Sequence, residues 1–301
     1  MRKTKSYFEA MLPGTISLET INDALFDEKG VLVSVLRLDK IHPHISGNKW
    51  FKLKYNVDSF FNGQKKYLVT LGGAYSNHII ATAAAGKEYG IPTIGIIRGE
   101  ELNKDSNDAL KFASRCGMKL FFVEREQYRH IREKGILPEE LYSELHAPNS
   151  ELYFLPEGGS NELAVKGCKE IVKNIRDDFD CIVCAVGTGT TLAGISNALE
   201  YNQAAIGIPV LEGKVFLEKD ISGFNGGRKN FRLFHEYTFG GYAKSNDELD
   251  SFCKKFLQNH GIAIEPVYTG KMFYALYDLI LKDYFKKGSR IIGVHTGGVG
   301  K

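Results

Sequence analysis

Apolar residues along the chain recur at two different periods, and the switches between them mark out the elements. Residues 31–38 (Val-Leu-Val-Ser-Val-Leu-Arg-Leu) alternate and predict a strand, the antiparallel member of a hairpin. Before it, up to Glu28, the apolar positions show no clean period. That part, which includes Pro13-Gly14, reads as an arm plus a short helix. After it, Trp50, Leu53, Lys54, Val57 and Phe60-Phe61 give a helix with one apolar face, ended by Asn62-Gly63. From Lys66 the pattern becomes β-α-β-α, with strands over 67–71, 93–97 and 119–123. Between them lie an Ala-rich helix capped by Ser76 and ended at Gly90, then a helix over 107–117. A charged helical pair runs to about residue 146.

A second series begins at 152–155, with a helix over 160–176 and a strand over 181–186. A Gly/Thr loop at 187 then opens a helix over 190–199, and 205–211 is another strand. A polar, Gly-rich passage (222–228) precedes helices over 247–261 and 271–285 and a last strand over 290–295. No repeat of solenoid period and no low-complexity segment interrupts the series. The expected architecture is α/β: two open, twisted, mostly parallel sheets with flanking helices, one lobe inserted in the other. The large domain takes 1–51 and 156–301, the small one 52–155, with candidate sites at strand C-termini facing a common cleft.

Composition narrows the function without naming it. Of 301 residues, 43% are hydrophobic and 25% charged, as in an ordinary soluble globular protein. A net charge of +3 gives no basis for a nucleic-acid or membrane partner. The basic start, Met1-Arg2-Lys3-Thr4-Lys5, leads into no apolar signal segment, so a cytoplasmic location is expected. Five scattered cysteines point to reduced thiols. Cys181 and Cys184 lie in a strand-like run, where positions i and i+3 face apart, so core packing is expected rather than chelation. The eight histidines form no ligand spacing, and no catalytic metal is expected.

Lys49 sits where a strand-like run passes into a helix, in His-Ile-Ser-Gly-Asn-Lys (44–49). Alone it reads as a surface charge; its company changes the reading. Gly187, Thr188, Gly189, Thr190 and Thr191 form a strand-to-helix turn able to aim backbone N–H groups and hydroxyls at a phosphate, or simply to turn the chain. It lacks the Gly-Lys-Ser/Thr ending of a nucleotide P-loop. Gly72-Gly73-Ala74-Tyr75-Ser76-Asn77-His78 is either a capped helix start or a nest for a carboxylate. Tyr268 is a general acid or a core aromatic, Thr269 an N-cap or a ligand to a ring nitrogen, and Tyr242 is equally ambiguous. A desolvated amine beside an anion cradle is what a Schiff-base cofactor requires.

Taken in order, Gly47-Asn48-Lys49 with Lys52-Leu53, Gly72-Gly73 with Ser76-Asn77-His78, the Gly187 loop, Pro266-Val-Tyr-Thr-Gly-Lys271 and His295-Thr-Gly-Gly298 resemble the 1-aminocyclopropane-1-carboxylate deaminase/D-cysteine desulfhydrase family. The resemblance runs from about residue 30 to the C-terminus. It implies the tryptophan-synthase-β-like fold of fold type II enzymes, pyridoxal 5'-phosphate (PLP) as cofactor, a small amino-acid substrate and a homodimer. By the same resemblance Lys49 is the Schiff-base lysine, Lys52 a phosphate contact and residues 187–191 the phosphate loop. Asn77 lies beside the cofactor's phenolic oxygen, Ser76 and His78 meet substrate, and Tyr268 and Tyr242 overhang it. The deaminases place a glutamate against the pyridine nitrogen where this chain has Thr269. Thr296 and His78 also resemble the desulfhydrase pattern, so β-elimination from D-cysteine is expected over cyclopropane ring opening. A third possibility is a non-catalytic phosphate-ligand-binding protein.

Overall fold

In a computed structural model of the chain, residues 8, 16–212 and 217–298 are described. The expected arm with Pro13-Gly14 lies outside them. The elements begin with β1 (Leu18–Ile21), α1 (Ala24–Lys29), β2 (Leu32–Arg37) and α2 (Asn48–Asn62). Next come β3 (Tyr67–Gly73), α3 (Asn77–Tyr89), β4 (Thr93–Arg98), α4 (Asp108–Arg115), β5 (Lys119–Val123), α5 (Arg125–Lys134) and α6 (Glu139–Leu145). The chain continues through β6 (Leu152–Leu155), α7 (Glu162–Cys168), β7 (Cys181–Val186), α8 (Thr190–Ala198), β8 (Ala204–Pro209) and α9 (Leu217–Phe224). It ends with β9 (Phe231–Leu233), α10 (Asp247–His260), α11 (Thr269–Leu281) and β10 (Arg290–His295).

Two units result, one from Lys52–Ala164 with Phe8, the other from residues 16–51 and 165–298. The first holds a four-stranded sheet in the order β5-β4-β3-β6, parallel throughout. The second holds six strands in the order β1-β2-β10-β7-β8-β9, parallel except where β1 meets β2. Strands covered on both faces must be apolar along their whole length. β7 is such a strand, six residues all buried, in register with β8 from Cys181↔Ala204 to Val186↔Pro209. In each sheet the strand order reverses once. β6 lies on the side of β3 opposite β4, and β10 on the side of β7 opposite β8. The loops after β3, β6, β7 and β10 therefore flank the two crevices where open α/β sheets bind ligands.

Several sequence expectations shift. Residues 31–38 do not form a tight hairpin: β2 pairs antiparallel with β1 across the intervening helix α1, and its other edge pairs parallel with β10. β1 and β9, four and three residues long, are too short to show a period. The helix expected over 160–176 ends at Cys168 and tightens into a 3₁₀ run, Lys169–Asn174. The passage 222–228 is partly helical, because Leu217 and Ile221 bury one short stripe of α9. α11 stops at Leu281 instead of 285, just before Asp283 takes a left-handed conformation (φ 56°). Cys181 and Cys184 are buried in β7, and burial, with Asp180 adding to it, pushes the Cys181 thiol up to about 12. Among the described residues no helix is long and apolar enough to cross a membrane, and no group of three His, Cys, Asp or Glu side chains could hold a metal ion.

Candidate active site

In the second unit three loops meet at the start of α2. Gly47 takes φ +66° and lies directly under the backbone of Thr296, just past β10. The Asn48 N–H donates to the Thr296 carbonyl at 3.4 Å, and the Lys49 N–H to the Ser46 carbonyl at 3.3 Å. The Asn48 side chain then donates to Thr191 Oγ1 at 2.8 Å, linking the first turn of α2 to the first turn of α8. Lys49, half-buried, is thus one residue from a side chain anchored on the Gly/Thr loop. Sequence reasoning passed over Asn48; its signal was a polar side chain in the first turn of a helix, immediately before the candidate amine.

The loop itself follows β7. Gly189 takes φ +83°, where a Cβ would come within 2.7 Å of Ile221. Thr188 and Thr190 hydroxyls lie 3.1 Å apart, and Thr190 and Thr191 are buried. No acidic side chain enters the first turn of α8, so the dipole of that helix start presents a positive end. A Cβ on Gly187 would meet the Tyr268 ring at 3.5 Å, and Tyr268 packs edge-on against Tyr242, centroids 5.9 Å apart.

Beside Tyr268 is a residue the sequence reading left without a role. The Glu265 carboxylate accepts from the N–H groups of Val267, Tyr268 and Thr269 at 2.7, 2.9 and 2.8 Å, capping α11. Thr269 Oγ1 accepts from the Glu265 N–H at 3.0 Å and lies 3.2 Å from Glu265 Oε1, to which it donates. Thr269 is fully buried. Burial pushes the Glu265 pKa up, against the hydrogen bonds that favour its charged form. An acidic residue four positions ahead of a helix otherwise lacking first-turn acids was the available signal.

In the first unit Ser76 caps α3, its Oγ accepting from His78 N–H at 3.3 Å and Ile79 N–H at 3.4 Å. The Asn77 amide makes no hydrogen bond among the described residues and is half-buried at the same helix start. His78, expected at substrate, is 1% exposed. Thr70 Oγ1 donates to the Leu155 carbonyl at 2.8 Å, so it accepts from His78 Nε2–H at 2.8 Å, which fixes the tautomer. The ring lies against Gly159, where a Cβ would come within 2.9 Å of Cε1. Lys52, expected at a phosphate, is 2% exposed and its Nζ donates to Gly158 O at 2.9 Å. Both side chains reach the turn after β6. Ser76→Ala should lower stability by about 1 kcal/mol through loss of the cap, read as a shift in denaturant midpoint.

Residues 23–297 match the family model described as pyridoxal-phosphate dependent enzyme. A Pyrococcus horikoshii protein, provisionally named 1-aminocyclopropane-1-carboxylate deaminase, is 32% identical over 90% of this chain and 86% of its own. An Arabidopsis thaliana protein named as a bifunctional, mitochondrial D-cysteine desulfhydrase/1-aminocyclopropane-1-carboxylate deaminase is 29% identical over 90% of this chain and 73% of its own. A crystal structure of an ACC deaminase homologue superposes with TM-score 0.79 at 28% identity, covering 96% of this chain and 90% of that one. The chain belongs to the 1-aminocyclopropane-1-carboxylate deaminase/D-cysteine desulfhydrase family of pyridoxal-phosphate-dependent, fold type II enzymes. The second unit fits the cofactor: a helix start with threonine hydroxyls and no acid suits its phosphate, and the anchored turn of Lys49 supplies an amine.

Proposed function

We propose that this enzyme is a β-eliminating lyase that converts D-cysteine and water to pyruvate, ammonia and hydrogen sulfide. Pyridoxal 5'-phosphate, when bound, supplies an electron sink for the charge left at the substrate α-carbon. Lys49 provides the ε-amine that holds the cofactor's aldehyde and then accepts the α-proton. The amides and hydroxyls of residues 187–191 bind the phosphate, with Lys52 as a further phosphate contact. Asn77 donates toward the phenolic oxygen. The Ser76 hydroxyl, whose oxygen is held by two N–H groups, donates its proton to the substrate carboxylate beside the first amides of α3. Tyr242 and Tyr268 exclude water and move a proton to the departing sulfur. The observation that carries this reading is Thr269, a neutral hydroxyl fully buried at the position that the family resemblance aligns with the ring nitrogen.

A second reading, ring-opening deamination, draws on the Glu265 carboxylate 3.2 Å behind that hydroxyl. It places an acidic side chain one hydrogen bond away from the Thr269 hydroxyl. Assays of the two substrates side by side separate the readings. D-Cysteine is expected to give sulfide and pyruvate, 1-aminocyclopropane-1-carboxylate no 2-oxobutanoate, and Thr269→Glu should lower the β-elimination rate. Faster 2-oxobutanoate release by the unmodified enzyme overturns the proposal. A homodimer belongs to the same reading, and light scattering of the holoenzyme tests it.

A further inference from the structure

The first half of α11 is buried almost throughout, and the charged side chain in it is Lys271, 0% exposed between Gly270 and Met272. Its Nζ donates to the Thr238 carbonyl at 2.7 Å and to the Gly241 carbonyl at 2.6 Å. Burial pushes the ammonium pKa down, while Glu265 and Glu212 oppose the shift. A lysine kept fully buried has a task that an apolar side chain of the same length could not perform.

Both carbonyls belong to one short loop with an unusual backbone. Phe239, Gly240, Gly241 and Ala243 all have positive φ, at 50°, 82°, 104° and 56°. Left-handed conformations are unfavourable at residues with a Cβ, and they persist only where surrounding contacts determine them. Here the contacts are the Lys271 ammonium, the Gly241 N–H to Thr238 O bond at 3.0 Å, and the Phe239 ring set edge-on against Tyr274 at 5.0 Å. Between Gly241 and Ala243, Tyr242 is 40% exposed and packs on Tyr268, which precedes α11 and sits over Gly187.

We propose that Lys271 is a positioning residue: by gripping the Thr238 and Gly241 carbonyls it holds Tyr242 against Tyr268, and so sets how tightly substrate is bound. The inference rests on the reading of the two tyrosines as substrate-facing. Loss of the grip leaves Lys49, the phosphate loop and Tyr268 in place, so cofactor loading is spared and Tyr268 still delivers the proton to the leaving group, while substrate affinity falls.

The test uses holoenzyme carrying Lys271→Met, Gly241→Ala, Tyr242→Ala, and the Lys271→Met/Tyr242→Ala pair. Amide exchange followed by mass spectrometry should show residues 238–244 exchanging roughly tenfold or more faster in Lys271→Met, with the cofactor's absorption unchanged. KM for D-cysteine should rise about tenfold with kcat within about threefold, and the KM effect should vanish in the Tyr242→Ala background. Gly241→Ala disturbs the loop from its own side, since φ +104° disfavours a Cβ whose nearest neighbour would be 3.7 Å away. It should reproduce both effects even if the buried substitution fails to fold. Unchanged exchange in both variants, or KM effects that simply multiply in the pair, overturns the proposal. Should no amino acid be turned over, the function proposed above fails, and the exchange data still decide whether the grip exists.

Discussion

Lys49→Ala should fold normally and lose turnover by about a thousandfold or more, because it removes a nucleophile and a base together. Lys49 is a half-buried second residue of a helix, and alanine is the best helix former, so stability should change by less than about 1 kcal/mol. The decisive readout is covalent. Borohydride treatment of the holoenzyme should add the cofactor's reduced mass to the peptide containing residue 49, and add nothing in the variant. The variant should still retain cofactor non-covalently through residues 187–191. Two other lysines on α2 are the natural competitors. Lys52 is 2% exposed with its Nζ on the Gly158 carbonyl, and Lys54 is 7% exposed. An adduct on either would remove the basis for every role assigned around Lys49.

What the sequence revealed and what it hid divide along a physical line. Long parallel strands such as β7 were readable because burial on both faces demands an unbroken apolar run. Helix starts were readable where a side chain caps locally, as Ser76 does for α3. β1, β9 and α9 were not, since each is held by neighbours distant in sequence rather than by its own period. The candidate site divides the same way. Lys49, the 187–191 loop and the 76–78 helix start announce themselves within a few residues. Asn48 reaches Thr191 across 143 positions, and Lys271 reaches Gly241 across 30, so neither partnership leaves a local trace. Glu265 is the intermediate case: its three backbone acceptances are local, but an acid ahead of a proline reads as loop until the cap is seen.

Gly47→Ala should be the most damaging substitution outside the chemistry, and it tests whether the amine is held in place by backbone contact. A Cβ at this position would overlap the carbonyl carbon and oxygen of Thr296 and come within 2.7 Å of the Gly297 nitrogen. Backbone atoms cannot rotate aside, so the turn and the segment after β10 must separate. The φ of +66° adds the left-handed penalty of about 1 kcal/mol, and relief of the overlap adds ~1–3 kcal/mol. Gly90→Ala is the control, because Gly90 has φ +65° but would place its Cβ with nothing within 4 Å. Thermal unfolding should show Gly90→Ala lowering the midpoint by a few degrees and Gly47→Ala by roughly 5–10 °C. The sharper distinction is in cofactor capture. Separation at Thr296 shifts Asn48, whose bond to Thr191 links the amine's helix to the phosphate loop, so the borohydride adduct should be much reduced in Gly47→Ala and undiminished in Gly90→Ala. If both variants captured cofactor equally well, the close approach at Gly47 would be a packing detail, and the placement of Lys49 would have to come from the rest of α2.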